Sequence, residues 1–125
     1  MMHSGNVLAF IGDGVLTLQV REYLVQKGIT NTKQLQETSV AFVSAKAQAN
    51  FIQKLISDDI LTEEEEKMFK RGRNAKSQSM AKNADVMTYR LATGFEALWG
   101  YLYLNEKHER LDYLWSLFKE MVEIL

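Results

Sequence analysis

Apolar positions recur at intervals of three and four almost from end to end of this chain, and the strict alternation of a half-buried strand is absent. The pattern predicts an all-α bundle of five to seven helices. The first runs from about Asn6 to Gln26 on Val7, Leu8, Phe10, Ile11, Val15, Leu18, Tyr23 and Leu24, with Lys27-Gly28 as its stop. Asn31-Thr32 caps a short helix reaching Glu37. Thr38 or Ser39 caps the next, from Val40 to Ser57, on Phe42, Val43, Ala47, Phe51, Ile52, Leu55 and Ile56. Thr62-Glu63-Glu64-Glu65 fits a capping box and opens a helix that fades near Gly72, with glutamates at its positive end and Lys70-Arg71 at its negative end. Asn74 to Ala84 is polar and reads as an exposed loop. Asp85 opens a long helix to about Leu104, and a last one covers about Glu106 to Ile124.

Composition narrows the class. A chain of 125 residues that is 46% hydrophobic suits one domain, here residues 1–125. It has no cysteine, which excludes a disulfide framework and thiolate metal sites, and only two histidines, His3 and His108. The N-terminal residues lack the basic and apolar regions of a secretory signal, and no apolar stretch approaches the ~20 residues of a membrane span. A cytoplasmic protein is therefore expected. The net charge of −1 hides a strong asymmetry. Between Lys67 and Ala84 stand Lys67, Lys70, Arg71, Arg73, Lys76 and Lys82, uninterrupted by any acid and directly after four glutamates.

Two apolar runs each carry a single carboxylate beside glycine. One is Phe10-Ile11-Gly12-Asp13-Gly14-Val15-Leu16; the other is Gly94-Phe95-Glu96-Ala97-Leu98-Trp99-Gly100. A carboxylate is costly to desolvate unless it is paired, hydrogen-bonded or bound to a metal. Gly12 and Gly14 each cost a helix roughly 1 kcal/mol relative to alanine, which close packing or a ligand would explain. Asp13 and Glu96 are thus expected to meet. Two facing carboxylates repel, and a divalent cation resolves the repulsion: Mg²⁺ takes one or two carboxylates, keeps waters and accepts phosphate oxygens. With a basic segment nearby, the set points to metal-assisted hydrolysis of a nucleic acid. The same residues are also compatible with boundary carboxylates facing solvent and a solvated basic surface.

These residues resemble the ribonuclease III nuclease domain. Phe10 to Leu16 is similar to its first signature and Phe95 to Leu104 to its second. Phe42 to Ala49, Glu63 to Glu66, Arg71 to Ser77 and Lys82-Asn83 extend the likeness, in order, to the short branch called mini-ribonuclease III. The resemblance implies an all-α fold, a homodimer, and Mg²⁺-dependent cleavage of double-stranded RNA that matures the ends of large-subunit (23S) ribosomal RNA. It places the catalytic and metal-binding carboxylates at Asp13 and Glu96. Family members usually carry two further carboxylates one turn earlier; here Ala9 and Thr93 stand in those places, so Thr93 is expected to hydrogen-bond a metal-bound water. No double-stranded-RNA-binding domain follows, so RNA grip is assigned to Lys46, Arg71, Arg73, Asn74, Lys76, Lys82 and Asn83, acting on phosphates and 2′-hydroxyls. Two other readings stay open: an all-α nucleotide pyrophosphohydrolase using the Glu63–Glu66 run, and a non-catalytic helical RNA-binding module.

Overall fold

A computed structural model describes residues 2–76 and 85–124, and these form six helices and no strand. They are α1 (Gly5–Gln26), α2 (Thr32–Val43), α3 (Ala45–Ser57), α4 (Glu63–Arg73), α5 (Val86–Leu104) and α6 (His108–Ile124). The centre of the bundle is α5, which packs against α1, α3, α4 and α6. Its sequence is apolar on nearly every side, as a helix surrounded by others must be. Leu91, Phe95, Ala97, Leu98, Trp99 and Leu102 are all buried. Phe51 of α3 stacks on Phe118 of α6 at 4.5 Å between ring centres, and Phe95 meets Trp99 at the same separation. The one polar atom of Trp99 is satisfied, its Nε1 donating to Gln19 Oε1 at 2.7 Å.

Helix ends follow the expected chemistry with one exception. Ser4 caps α1, Asn31 caps α2 and Asp85 caps α5, each through a side-chain oxygen accepting from the first turn. Gly28, at φ +93°, ends α1, with its N–H on the Val25 carbonyl and that of Ile29 on the Leu24 carbonyl. Thr62 and Glu65 form the reciprocal capping box of α4. Glu65 does more than cap: it is buried and takes two hydrogen bonds from the Arg110 guanidinium, at 2.7 and 2.9 Å. Burial alone would raise its pKa, but Arg110 and the Thr62 N–H prevail and hold the carboxyl below its usual range. Within the glutamate run, Glu65 is thereby tied to folding, which leaves the pyrophosphohydrolase reading without one of its four acids.

The exception is the break expected at Thr38 or Ser39. Both lie inside α2, and the Ser39 hydroxyl simply donates to the Gln36 carbonyl. The chain turns instead at Ser44, whose backbone is extended (φ −65°, ψ 151°). Its N–H closes α2 on the Val40 carbonyl and its Oγ accepts from the Ala47 N–H, so one serine ends a helix and caps the next. Leu35 and Phe42, seven residues apart on one face, both pack into the core and carry α2 past the polar pair.

Candidate active site

The site begins with an unusually close approach of α1 to α5. Gly12 lies against the Glu96 carbonyl, and Gly100 lies against the Leu8 carbonyl, so closely that a Cβ at either glycine would overlap the opposing oxygen. Backbone meets backbone at two points one turn apart on α5. Asp13 follows the first glycine and Glu96 precedes the second by one turn, so this contact brings the two carboxyls within hydrogen-bonding reach of each other. The expected meeting of Asp13 and Glu96 is found. Gly14, by contrast, faces open space, and no contact within this chain offsets its helix penalty.

The two carboxyls sit in different surroundings. Asp13 is exposed, on the rim of a groove of about 590 Å³ that it shares with Phe10, Leu18, Tyr103 and His108. Glu96 is half-buried behind it. Burial raises the Glu96 pKa most, the neighbouring charge of Asp13 and their shared hydrogen bond add to it, and a hydrogen bond from Gln48 opposes them; the net effect is a rise from 4.5 to about 8. Gln48, in α3, was not singled out in the sequence, although a readable signal exists. It stands on the apolar face defined by Phe51, Ile52 and Leu55, and it is only 2% exposed. Its Nε2 donates to the Val43 carbonyl at 3.0 Å, and its Oε1 has no partner.

This donor set fits a divalent cation. Two adjoining carboxylates and an unsatisfied buried amide oxygen are hard ligands, suited to Mg²⁺ or Mn²⁺ and not to a thiophilic metal. Among the described residues no group of three or more histidine, cysteine or acidic side chains is placed to hold a metal ion, which leaves the pair and water as the first ligands. Ala9 is buried in an apolar cluster with Leu8, Met68 and Ala97. The Thr93 hydroxyl donates back to the Tyr89 carbonyl at 3.0 Å and keeps its acceptor lone pairs free.

The basic residues are spread more widely. Arg71 is half-buried, its guanidinium donating to the His3 carbonyl at 3.1 Å and lying on Met2. Arg73 reaches Asn74 Oδ1 at 3.2 Å and packs over the Phe69 ring. Lys76 is exposed, and its carbonyl is anchored by Asn6 Nδ2 at 2.9 Å. Lys46 is exposed beside Met121 and Val122, turned about 200° around α3 from Gln48 and so away from the carboxyl pair. Lys82 and Asn83 lie outside the described residues.

Residues 6–107 match the ribonuclease III domain. The chain belongs to that family. A mini-ribonuclease 3 of Enterococcus faecalis is 52% identical over 111 residues, 89% of this chain and 84% of its own length. One of Streptococcus pneumoniae is 48% identical over 120 residues, covering 96% and 94%. A crystal structure of a Fusobacterium nucleatum protein superposes with a TM-score of 0.82 at 35% identity, covering 91% of each chain. As a ribonuclease III family member with such relatives, the protein is an endoribonuclease, a phosphodiester hydrolase.

Two expectations follow from this geometry. Gly12→Ala forces α1 from α5 and should cost at least about 2 kcal/mol of stability, read from urea denaturation, with a loss of cleavage as Asp13 and Glu96 part. The second concerns pH. Because the folded pKa of Glu96 lies above its ordinary value, the folded state binds the extra proton, and the stability it brings is complete below about pH 4.5 and lost as pH rises through about 8. In chelator, the melting temperature of the wild type should therefore fall from about pH 5 to about pH 8 relative to Glu96→Gln, whose side chain stays neutral. Parallel curves would show that Glu96 ionises without hindrance.

Proposed function

We propose that this endoribonuclease cleaves double-stranded RNA in a divalent-metal-dependent reaction, with Asp13 and Glu96 as the metal-binding and catalytic carboxylates. The observation that carries this reading is the forced proximity of the two carboxyls, one exposed and one half-buried. Asp13 and Glu96 would hold the cation as charged oxygen ligands, and it would supply charge neutralisation and Lewis acidity at the phosphodiester. Asp13, at the groove rim, is the carboxylate within reach of substrate. Thr93, one turn before Glu96, offers its free lone pairs to a bound water.

RNA is held by charge. Arg73, Asn74 and Lys76, with Lys82 and Asn83 beyond them, continue from the end of α4 and suit phosphate and 2′-hydroxyl contacts, which dominate recognition of an RNA duplex. The Asn6 bond to the Lys76 carbonyl pins the start of that segment to α1, the helix that carries Asp13. Arg71 serves first as a strut for the N-terminal residues and adds its charge from there. Lys46 stands apart and contributes to the long-range field. The likeness to mini-ribonuclease 3 supports a role in the cytoplasm, maturing the ends of the 23S ribosomal RNA precursor. Among the described residues no helix is long and apolar enough to cross a membrane.

The working form is a homodimer. Phe10 is 80% exposed and Leu18 59%, and with Tyr103 they border the groove that includes Asp13. Monomers seldom leave so large an apolar face in water, and a self-complementary face pairs by a twofold axis that supplies two sites, one for each RNA strand.

Asp13→Asn should lower cleavage of duplex RNA at saturating Mg²⁺ by ~10³-fold or more while the circular dichroism and melting curves persist. Full activity in that variant would remove Asp13 from the reaction. Phe10→Asp should shift the protein from dimer to monomer in sedimentation velocity; an unchanged sedimentation coefficient would place any association elsewhere.

A further inference from the structure

We infer that Gln48 is a positioning residue of the cation site, its Oε1 accepting a hydrogen bond from a water on the ion that Asp13 and Glu96 hold. The inference rests on the cation-dependent reading above. It starts from an account of one buried amide. A glutamine has two N–H donors and one carbonyl oxygen. One donor of Gln48 goes to the Val43 carbonyl at 3.0 Å. The amide also lies close enough to Glu96 to favour its charged form. Oε1 is left in a side chain 2% exposed with no partner.

Turning the amide over does not repair this. Oε1 would then face the Val43 carbonyl, two acceptors with no proton between them, so the main chain fixes which end is which. A buried acceptor left unpaired costs about 1–3 kcal/mol, and the positions around it on α3 are filled by Phe51, Ile52 and Leu55, where a methionine or leucine would carry no such cost. The amide that influences Glu96 carries this unpartnered oxygen, which sets it close to one member of the carboxyl pair. A buried acceptor without a protein partner is one a bound water satisfies, and a divalent ion brings waters that donate strongly. Groups of this kind orient ligands and set metal affinity, typically by 10–100-fold.

The test reads Mn²⁺ binding to the full-length protein by electron paramagnetic resonance, without RNA. Gln48→Met should weaken Mn²⁺ about tenfold. Gln48→Glu, which keeps an acceptor oxygen, should bind at least as tightly as wild type. A purely structural glutamine would lower the melting temperature of both variants and leave their Mn²⁺ affinities within about twofold of wild type, overturning the proposal. Should Gln48→Met fail to fold, the wild type itself decides: its Gln48 side-chain amide resonances should move on saturation with Mg²⁺, and fixed resonances would overturn the role. Wild-type protein that binds Mn²⁺ and cuts RNA while Gln48→Met binds equally well sinks only this inference. Wild type that binds no Mn²⁺ sinks the cation site with it.

Discussion

The contact of Gly12 and Gly100 across α1 and α5 is the constraint on which the rest depends. Helix axes ordinarily stand 8–10 Å apart because side chains intervene. Here two glycines remove the side chains at neighbouring points, and the carbonyls of Glu96 and Leu8 occupy the space a Cβ would need. The same device joins α4 to α5, where Gly72 meets Gly94 and the Thr93 carbonyl, and Gly94 meets the Phe69 ring. The central helix is therefore gripped on two sides through its own small residues. That leaves little freedom to slide, and register along α5 is what sets Glu96 opposite Asp13.

Such precision is applied to an arrangement that is electrostatically unfavourable when the protein stands alone. Glu96 loses water and gains a like-charged neighbour, and both effects favour its neutral form. Gln48 adds a buried acceptor without a donor. Elsewhere the chain satisfies its buried polar groups well: Trp99 finds Gln19, and Glu65 finds both Arg110 and its own helix cap. Local rules that hold throughout a structure and fail together at one place mark that place as functional. The fold supplies the rigidity, and the unpaired chemistry supplies the affinity for what binds there.

Much of this was legible in the sequence, because it depends on short-range pattern. Helical spacing located all the helices, and Ser, Thr, Asn, Asp and Gly marked most of their ends. The carboxylates announced themselves as charges inside apolar runs, and glycine beside each pointed to close packing, correctly for Gly12 and not for Gly14 within this chain. What escaped notice depended on three-dimensional partners. Ser44 looks no better a cap than Thr38 or Ser39 until Phe42 and Leu35 are seen to need one continuous face. Gln48 lies in an alanine-rich stretch where helical amides are commonplace, and only its burial singles it out. Arg71 reads in sequence as a helix-end charge and an RNA contact, and nothing there shows that the N-terminal residues fold back to meet it.

In the proposed dimer the outer face of α1 would link association to chemistry. Phe10, Asp13, Gly14 and Leu18 lie along one groove, so a second copy covering the apolar residues also borders the exposed carboxylate. Displacing water from one side of Asp13 strengthens its attraction for a cation, because Coulomb interactions grow as the surrounding dielectric falls. The open space beside Gly14 would then have a use, since a larger side chain there would stand between the proposed partner and the rim. In the proposed dimer the chain would need fewer carboxylates than a fully solvated site, with Ala9 buried and Thr93 neutral, because packing within and between copies would raise the value of the two it keeps.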